Sequence, residues 1–189
     1  MRVLFLALGF LLSSSAFAQA VTYSVDPSHA SLVFKVRHLG FANVYGTISG
    51  IEGVFVFDQT KPENSKIDIS AKVETINTNE KKRDDHLRGP DFFNVKQFPK
   101  IVLKSKSIKK VADKRYEVAA DLTMHGKTAP LIFFFDLLKV GKDPWGKERI
   151  AGETAFTLNR SAFNMTYMNK PEELGDGVDV IVSLEGVKP

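Results

Sequence analysis

The chain has no cysteine. That excludes a disulfide framework, thiolate metal sites, a cysteine nucleophile and the lipid-modified cysteine that tethers an exported lipoprotein. Its 189 residues hold only four histidines, His29, His38, His86 and His125. No two of these stand at the strand or helix spacing that a histidine metal site uses, so neither a metal nor a cofactor is expected. No Gly-x-Ser-x-Gly nucleophile turn is present. A preponderance of one charge is also lacking. The net charge is +4, with acids and bases interspersed. There is no basic stripe interleaved with aromatics, which argues against a nucleic-acid partner. Two local basic clusters remain, Lys81-Lys82-Arg83 and Lys104/Lys106/Lys109/Lys110. They could attract a phosphate head group or an anionic membrane, though a solvated face is the simpler reading of each.

Long apolar runs are missing except at the start. Arg2, the run Val3 to Leu12, and Ala16-Phe17-Ala18 read as a signal peptide over residues 1–18, with a second cut site after Ala20. The run is too short to cross a bilayer. Residues 21–189 then form a single domain, soluble after export and not an integral membrane protein.

What is present is alternation. Leu32, Phe34, Val36 and His38 share one strand face, opposite Lys35 and Arg37. Ile67, Ile69, Ala71 and Val73 repeat the pattern, as do Tyr116 to Met124, Ile150 to Leu158 and Val178 to Leu184. Gly46, Gly50 and Gly53 punctuate residues 44–57, as in a sheet that must curl. His125-Gly126 reads as a hairpin turn and Asp143-Pro144-Trp145-Gly146 as another. The strand 131–138 is apolar on both faces, so Phe133/Phe135 and Ile132/Phe134 compete for the interior. About eight antiparallel strands with few helices predict an all-β barrel or sandwich. A barrel of that size can hold one small ligand. Fifteen phenylalanines, all but Phe5, Phe10 and Phe17 outside the leader, could furnish an apolar lumen.

One segment breaks the pattern. Near residues 79–94 a short polar helix is expected, capped by Thr78 or Asn79 and stopped by Gly89-Pro90, with Leu87 as its single large apolar residue. Such a helix belongs on a rim. Asp84, Asp85 and His86 resemble pieces of an acid–base site, but no nucleophile accompanies them, and Asp85 is expected to pair with a neighbour such as Arg88. Phe92, Phe93 and Phe98 follow, able to close a barrel end or to touch a ligand. Outward lysines and aspartates on the strands argue against a membrane-spanning barrel, whose outer band is apolar.

Four stretches together resemble the YceI-like family: Val25 to Gly40, Val44-Tyr45-Gly46 through Gly53-Val54-Phe55, Asp85-His86-Leu87 to Phe98-Pro99, and Leu122 to Thr128. At Arg88-Gly89-Pro90 the sequence departs from the serine or small polar pair more usual before Asp91. The resemblance implies an extended lipocalin-like antiparallel β-barrel, periplasmic or secreted. It implies a lumen that binds a long-chain isoprenoid, either a polyprenyl phosphate or a prenyl quinone, for transport or storage. It also allows a homodimer and points away from an enzyme. A hydrolase, or a stress-related interaction protein on the same barrel, is the alternative. With the alternation, it nominates Leu32, Phe34, Val36, Ile67 and Ile69 as lumen residues, then Phe92, Phe93, Phe98, Leu122, Phe133, Phe135 and Phe156. His38 and Arg37 are placed at the rim.

Overall fold

The computed structural model describes residues 20–170 and 172–189. The signal peptide expected over residues 1–18 lies outside the described residues. Nine strands and one α-helix follow in order: β1 (Val21–His38), β2 (Ala42–Ile48), β3 (Ile51–Phe57), β4 (Lys66–Lys72), α1 (Lys81–Arg88), β5 (Lys100–Ala112), β6 (Arg115–Met124), β7 (Lys127–Lys142), β8 (Glu148–Asn159) and β9 (Leu174–Val187).

All pairings are antiparallel, and β1 is what closes the sheet. Its first residues, Val21 to Ser24, pair with Phe57 to Val54 of β3, while Leu32 to His38 pair with Ile48 to Ala42 of β2. Its opposite edge pairs with β9, from Ser24 against Val187 to His38 against Leu174. β1 and β3 to β9 therefore make a closed eight-stranded barrel, as expected, with β2 as an extra strand on the upper half of β1. Closure leaves those eight strands without a free edge.

β1 starts earlier than the sequence suggests. His29 lies in a bulge where the β1–β9 register shifts between Val25 and Ala30. The Asp26 carboxylate holds that bulge by accepting from the Ser28 backbone N–H at 3.1 Å and its hydroxyl at 2.6 Å.

Alternation translates directly into inside and outside. Along β6, Tyr116, Val118, Ala120, Leu122 and Met124 are buried, and the residues between them are not. The outer face carries ion pairs, including Lys35–Asp179 at 2.6 Å, Lys106–Asp121 at 2.7 Å and Arg115–Asp136 at 3.1 Å. Each contributes little at such exposure, but together they mark a solvated surface. On β7 the ambiguity resolves: Phe133 is buried and Phe135 half-buried, while Ile132 and Phe134 are exposed. Register decides this, because Val118 and Tyr116 on the inner face of β6 stand opposite Phe133 and Phe135.

Two glycines are required by local geometry. His125 and Gly126 both have positive φ, 52° and 71°, as a tight two-residue hairpin demands. At Gly152, a Cβ would meet the Phe135 ring at 2.1 Å, so glycine lets that ring lie flat on the barrel wall. The helix caps differently from expectation. Glu80, not Thr78 or Asn79, caps α1, its carboxylate accepting from the backbone N–H of Lys82 and Arg83 at 3.1 and 2.5 Å. Thr78 is occupied elsewhere, donating its hydroxyl and N–H to buried Asp84.

Candidate functional site

The barrel interior is a tapering apolar tunnel. At its narrow end, beside Tyr116, Ile150 and Leu184, the free volume is about 30 Å³. Phe57 and Tyr116 meet there edge to face at 5.7 Å. The next section, about 80 Å³, is walled by Ile67, Ile69, Leu122, Phe133, Phe135 and Phe156. A chamber of about 130 Å³ follows, bounded by Leu32, Phe34, Val36, Leu122 and Phe156, with Phe92 and Phe93 from the insert. It shares Phe34, Val36, Leu87 and Phe92 with a mouth of about 380 Å³, which adds His38, Thr78, Glu80, Lys82, Arg83, His86 and Tyr167. From Ile150 to Leu158 on β8 the walls span eight residue steps, about 27 Å along the strand.

Of the residues nominated from sequence, twelve border this tunnel, with His38 at the mouth. Phe98 stands apart. Its ring packs over the β6–β7 turn, where a Cβ on Gly126 would meet it at 2.5 Å, and lies edge to face with His125 at 5.3 Å. Arg37 points away from the lumen, and its guanidinium donates to the Gly40 carbonyl at 2.8 Å.

Two inserts roof the wide end. The first is α1 with residues 89–98. Leu87 lies between chamber and mouth, and Arg88 fastens the helix by donating to the carbonyls of Glu74 and Ile76 at 2.9 and 2.8 Å and to Asp85 at 3.0 Å. The second is the connection from β8 to β9. Its organiser, which the sequence did not reveal, is Arg160. This guanidinium is buried at 4 % exposure and donates to five carbonyls: Met165, Tyr167, Met168, Leu174 and Gly175. All its N–H donors are used. Burial lowers its pKa from the ordinary arginine value, and the nearby Asp176 carboxylate opposes that shift. The two inserts touch through rings, His86 and Phe92 each meeting Tyr167, at 5.1 and 5.4 Å.

The acid–base candidates in α1 are engaged structurally. Asp84 accepts from Thr78, Asp85 pairs with Lys81 at 2.6 Å and with Arg88, and His86 Nε2 lies 2.9 Å from Asp91. The hydrogen bond from Lys81 holds the Asp85 pKa below the ordinary carboxylate value. At the far end, Asp26, His29 and Glu185 converge in the manner of metal ligands, their ligand atoms within 4.8 Å of one another. A guanidinium already fills that role: Arg149 donates to Asp26 at 2.8 Å, Glu185 at 3.0 Å and Asp143 at 2.8 Å. Hydrogen bonds from Ser28, Arg149 and His29 push the Asp26 pKa far below the ordinary range.

A closed eight-stranded antiparallel barrel around an apolar tunnel, roofed by a short helix, is the arrangement that the four sequence stretches imply. Residues 23–186 match the YceI-like domain family. The chain belongs to that family. A UPF0312 protein of Pseudomonas putida is 38 % identical over 185 residues, covering 97 % of this chain and 95 % of the relative. The crystal structure of BcnA from Burkholderia cenocepacia superposes with a TM-score of 0.77 at 19 % identity, covering 85 % of this chain and 98 % of that one. A polyisoprenoid binding domain from Saccharophagus degradans superposes with a TM-score of 0.69 at 13 % identity, covering 89 % and 99 %. At those identities the two structures establish a shared fold. No described helix is long and apolar enough to cross a membrane.

Proposed function

We propose that this YceI-like protein is an exported carrier that holds the prenyl chain of an isoprenoid lipid in its barrel, the head group meeting the mouth. The observation that carries the reading is the tunnel. Its inner sections are walled almost entirely by carbon, and it opens where His38, Lys82, Arg83 and His86 gather. Moving a long apolar chain from water into such a wall is favourable by about 0.8 kcal/mol per CH₂. The polar groups at one end give the ligand an orientation. A prenyl quinone and a polyprenyl phosphate both fit this description. The polyisoprenoid binding of the Saccharophagus domain supports it by analogy of fold.

Binding rather than catalysis is part of the proposal, since Asp84, Asp85 and His86 spend their polar atoms on neighbours. The polarity, apolar within and charged without, is the reverse of a membrane-spanning barrel. Release by osmotic shock without detergent would place the protein in the periplasm. Pairing of two copies is read onto the outward row of Phe134, Ala155 and Ile181, which register sets side by side. Sedimentation of the purified protein tests that pairing.

The deciding experiment is mass spectrometry of an organic extract of purified protein, with titration of added prenyl quinone in detergent. A copurifying prenyl lipid, or saturable uptake at one equivalent, is expected. A lipid-free protein that takes up neither prenyl quinone nor prenyl phosphate overturns the reading.

A further inference from the structure

We propose that the mouth of the barrel is also a docking surface for an anionic lipid bilayer, so that cargo passes between membrane and tunnel without crossing water. This rests on the carrier reading above and adds the surface from which cargo comes. Three observations meet at one end of the barrel.

The β1–β2 hairpin tip follows directly on His38, which borders the mouth, and it carries Leu39 and Phe41. Phe41 is 89 % exposed, beyond any other apolar residue described, and Leu39 is 39 % exposed. The tip is held in shape while its side chains stay free. Leu39 N–H donates to the Glu173 carbonyl at 2.6 Å, Phe41 N–H to the His38 carbonyl at 3.0 Å, and Arg37 to the Gly40 carbonyl. A rigid turn presenting a bare phenyl ring suits insertion at the boundary of head groups and acyl chains.

The same end carries cations without partner acids. Lys81, Lys170 and Lys35 are neutralised by Asp85, Glu173 and Asp179. Lys82 has no such partner among the described residues, and Arg83 donates only to the hydroxyl and carbonyl of Thr78. The acids nearby include Glu80, whose carboxylate caps α1; Asp84, which accepts from Thr78; Asp91, which faces His86; Asp176, which accepts from Ser161; and Glu172, next to Glu173. Among the charged groups that line the opening itself, Lys82 and Arg83 outnumber Glu80, so the lining is positive by one and complements anionic head groups.

Third, the surface is continuous with the tunnel. Tyr167, 41 % exposed, and Met168 border the mouth beside these cations, and Phe34 and Val36 lead inward from it. A protein partner would be expected to match shape. A bilayer needs only an apolar projection and a positive field at the opening through which lipid must pass, and both are here.

Co-sedimentation with vesicles tests this, using the full mature chain and two compositions: phosphatidylcholine alone, and an equal mixture with phosphatidylglycerol. Wild-type protein is expected on the mixed vesicles at low salt, weakly on phosphatidylcholine, and to be released as salt rises. Phe41→Ser should lower partitioning by about tenfold and Lys82→Gln by about fivefold. Prenyl quinone uptake from detergent by Phe41→Ser should be unchanged, because Phe41 does not wall the tunnel. No sedimentation of wild-type protein with mixed vesicles overturns the proposal, as does equal sedimentation of Phe41→Ser. So does a Phe41→Ser change that splits a dimer with no vesicle binding, which would make a second copy the occupant. Vesicle binding with no cargo uptake would sink the carrier reading while leaving the docking surface standing.

Discussion

Replacing Arg160 by methionine should unmake the roof of the barrel before it unmakes the barrel. The guanidinium donates five hydrogen bonds, of 2.7–3.0 Å, to carbonyls between Met165 and Gly175. Methionine matches the stem and supplies no donor. Each buried carbonyl left without a partner costs about 1–3 kcal/mol. The loop lies at the barrel end, so some of the five carbonyls can turn to water. Desolvation of the wild-type charge is also relieved. A net loss of about 3 kcal/mol is expected, near the lower end for breaking a buried charged network. Urea denaturation measures it. Hydrogen exchange shows where it falls: residues 160–175 should lose protection first while β6 keeps its own. Because Tyr167 and Met168 sit on this loop, prenyl quinone should dissociate faster. Arg160→Lys should not rescue, since one ammonium cannot span five carbonyls. A methionine variant within about 0.5 kcal/mol of wild type, with unchanged exchange in 160–175, would falsify the assignment of Arg160 as organiser.

Three other outcomes follow from the same geometry. Val180→Trp fills the chamber that Val180 borders, so it should abolish prenyl quinone uptake with far-UV circular dichroism unchanged; full uptake would move the ligand elsewhere. Gly152→Val drives a side chain into the Phe135 ring and should cost about 1–3 kcal/mol by overpacking, read from the urea midpoint; a neutral result would mean the ring has room to retreat. The Asp26 pKa is depressed in the fold, so its contribution is complete above the unfolded value, about 3.9, and fades as pH falls through the lower folded value. Acid unfolding of wild type should therefore steepen below about pH 4, and Asp26→Asn should flatten that limb; identical acid curves would remove Asp26 from the network.

How much of this could be read from the residues depends on whether the deciding interaction is local. Alternation on β4, β6, β8 and β9 gave inside and outside correctly, because period two is imposed by the backbone itself. The turn at His125-Gly126 was equally legible, since its chemistry is confined to two residues. The inward face of β7 was not, because Ile132 and Phe134 are as apolar as Phe133 and Phe135. The choice is made by register with β6. Barrel closure was hidden for the same reason: it depends on residues 24–38 pairing with residues 174–187, at the far end of the chain.

The site divides along the same line. Residues lining the tunnel from strands were legible because facing the lumen is a property of the strand. Phe98 shows the limit. It shares the composition of Phe92 and Phe93, yet the path after Asn94 turns it onto Gly126, outside the cavity. Arg160 shows the converse. A basic residue following Asn159 reads as surface, and only the irregular, aromatic-rich stretch Phe163 to Met168 hinted that something must satisfy its backbone. Irregular chain that is buried needs donors from somewhere. One side chain with five N–H groups is an economical source. The wide end of this barrel is thus specified less by the sheet than by two arginines, Arg88 under the helix and Arg160 under the loop. Their removal should open the mouth while the strands below it remain paired.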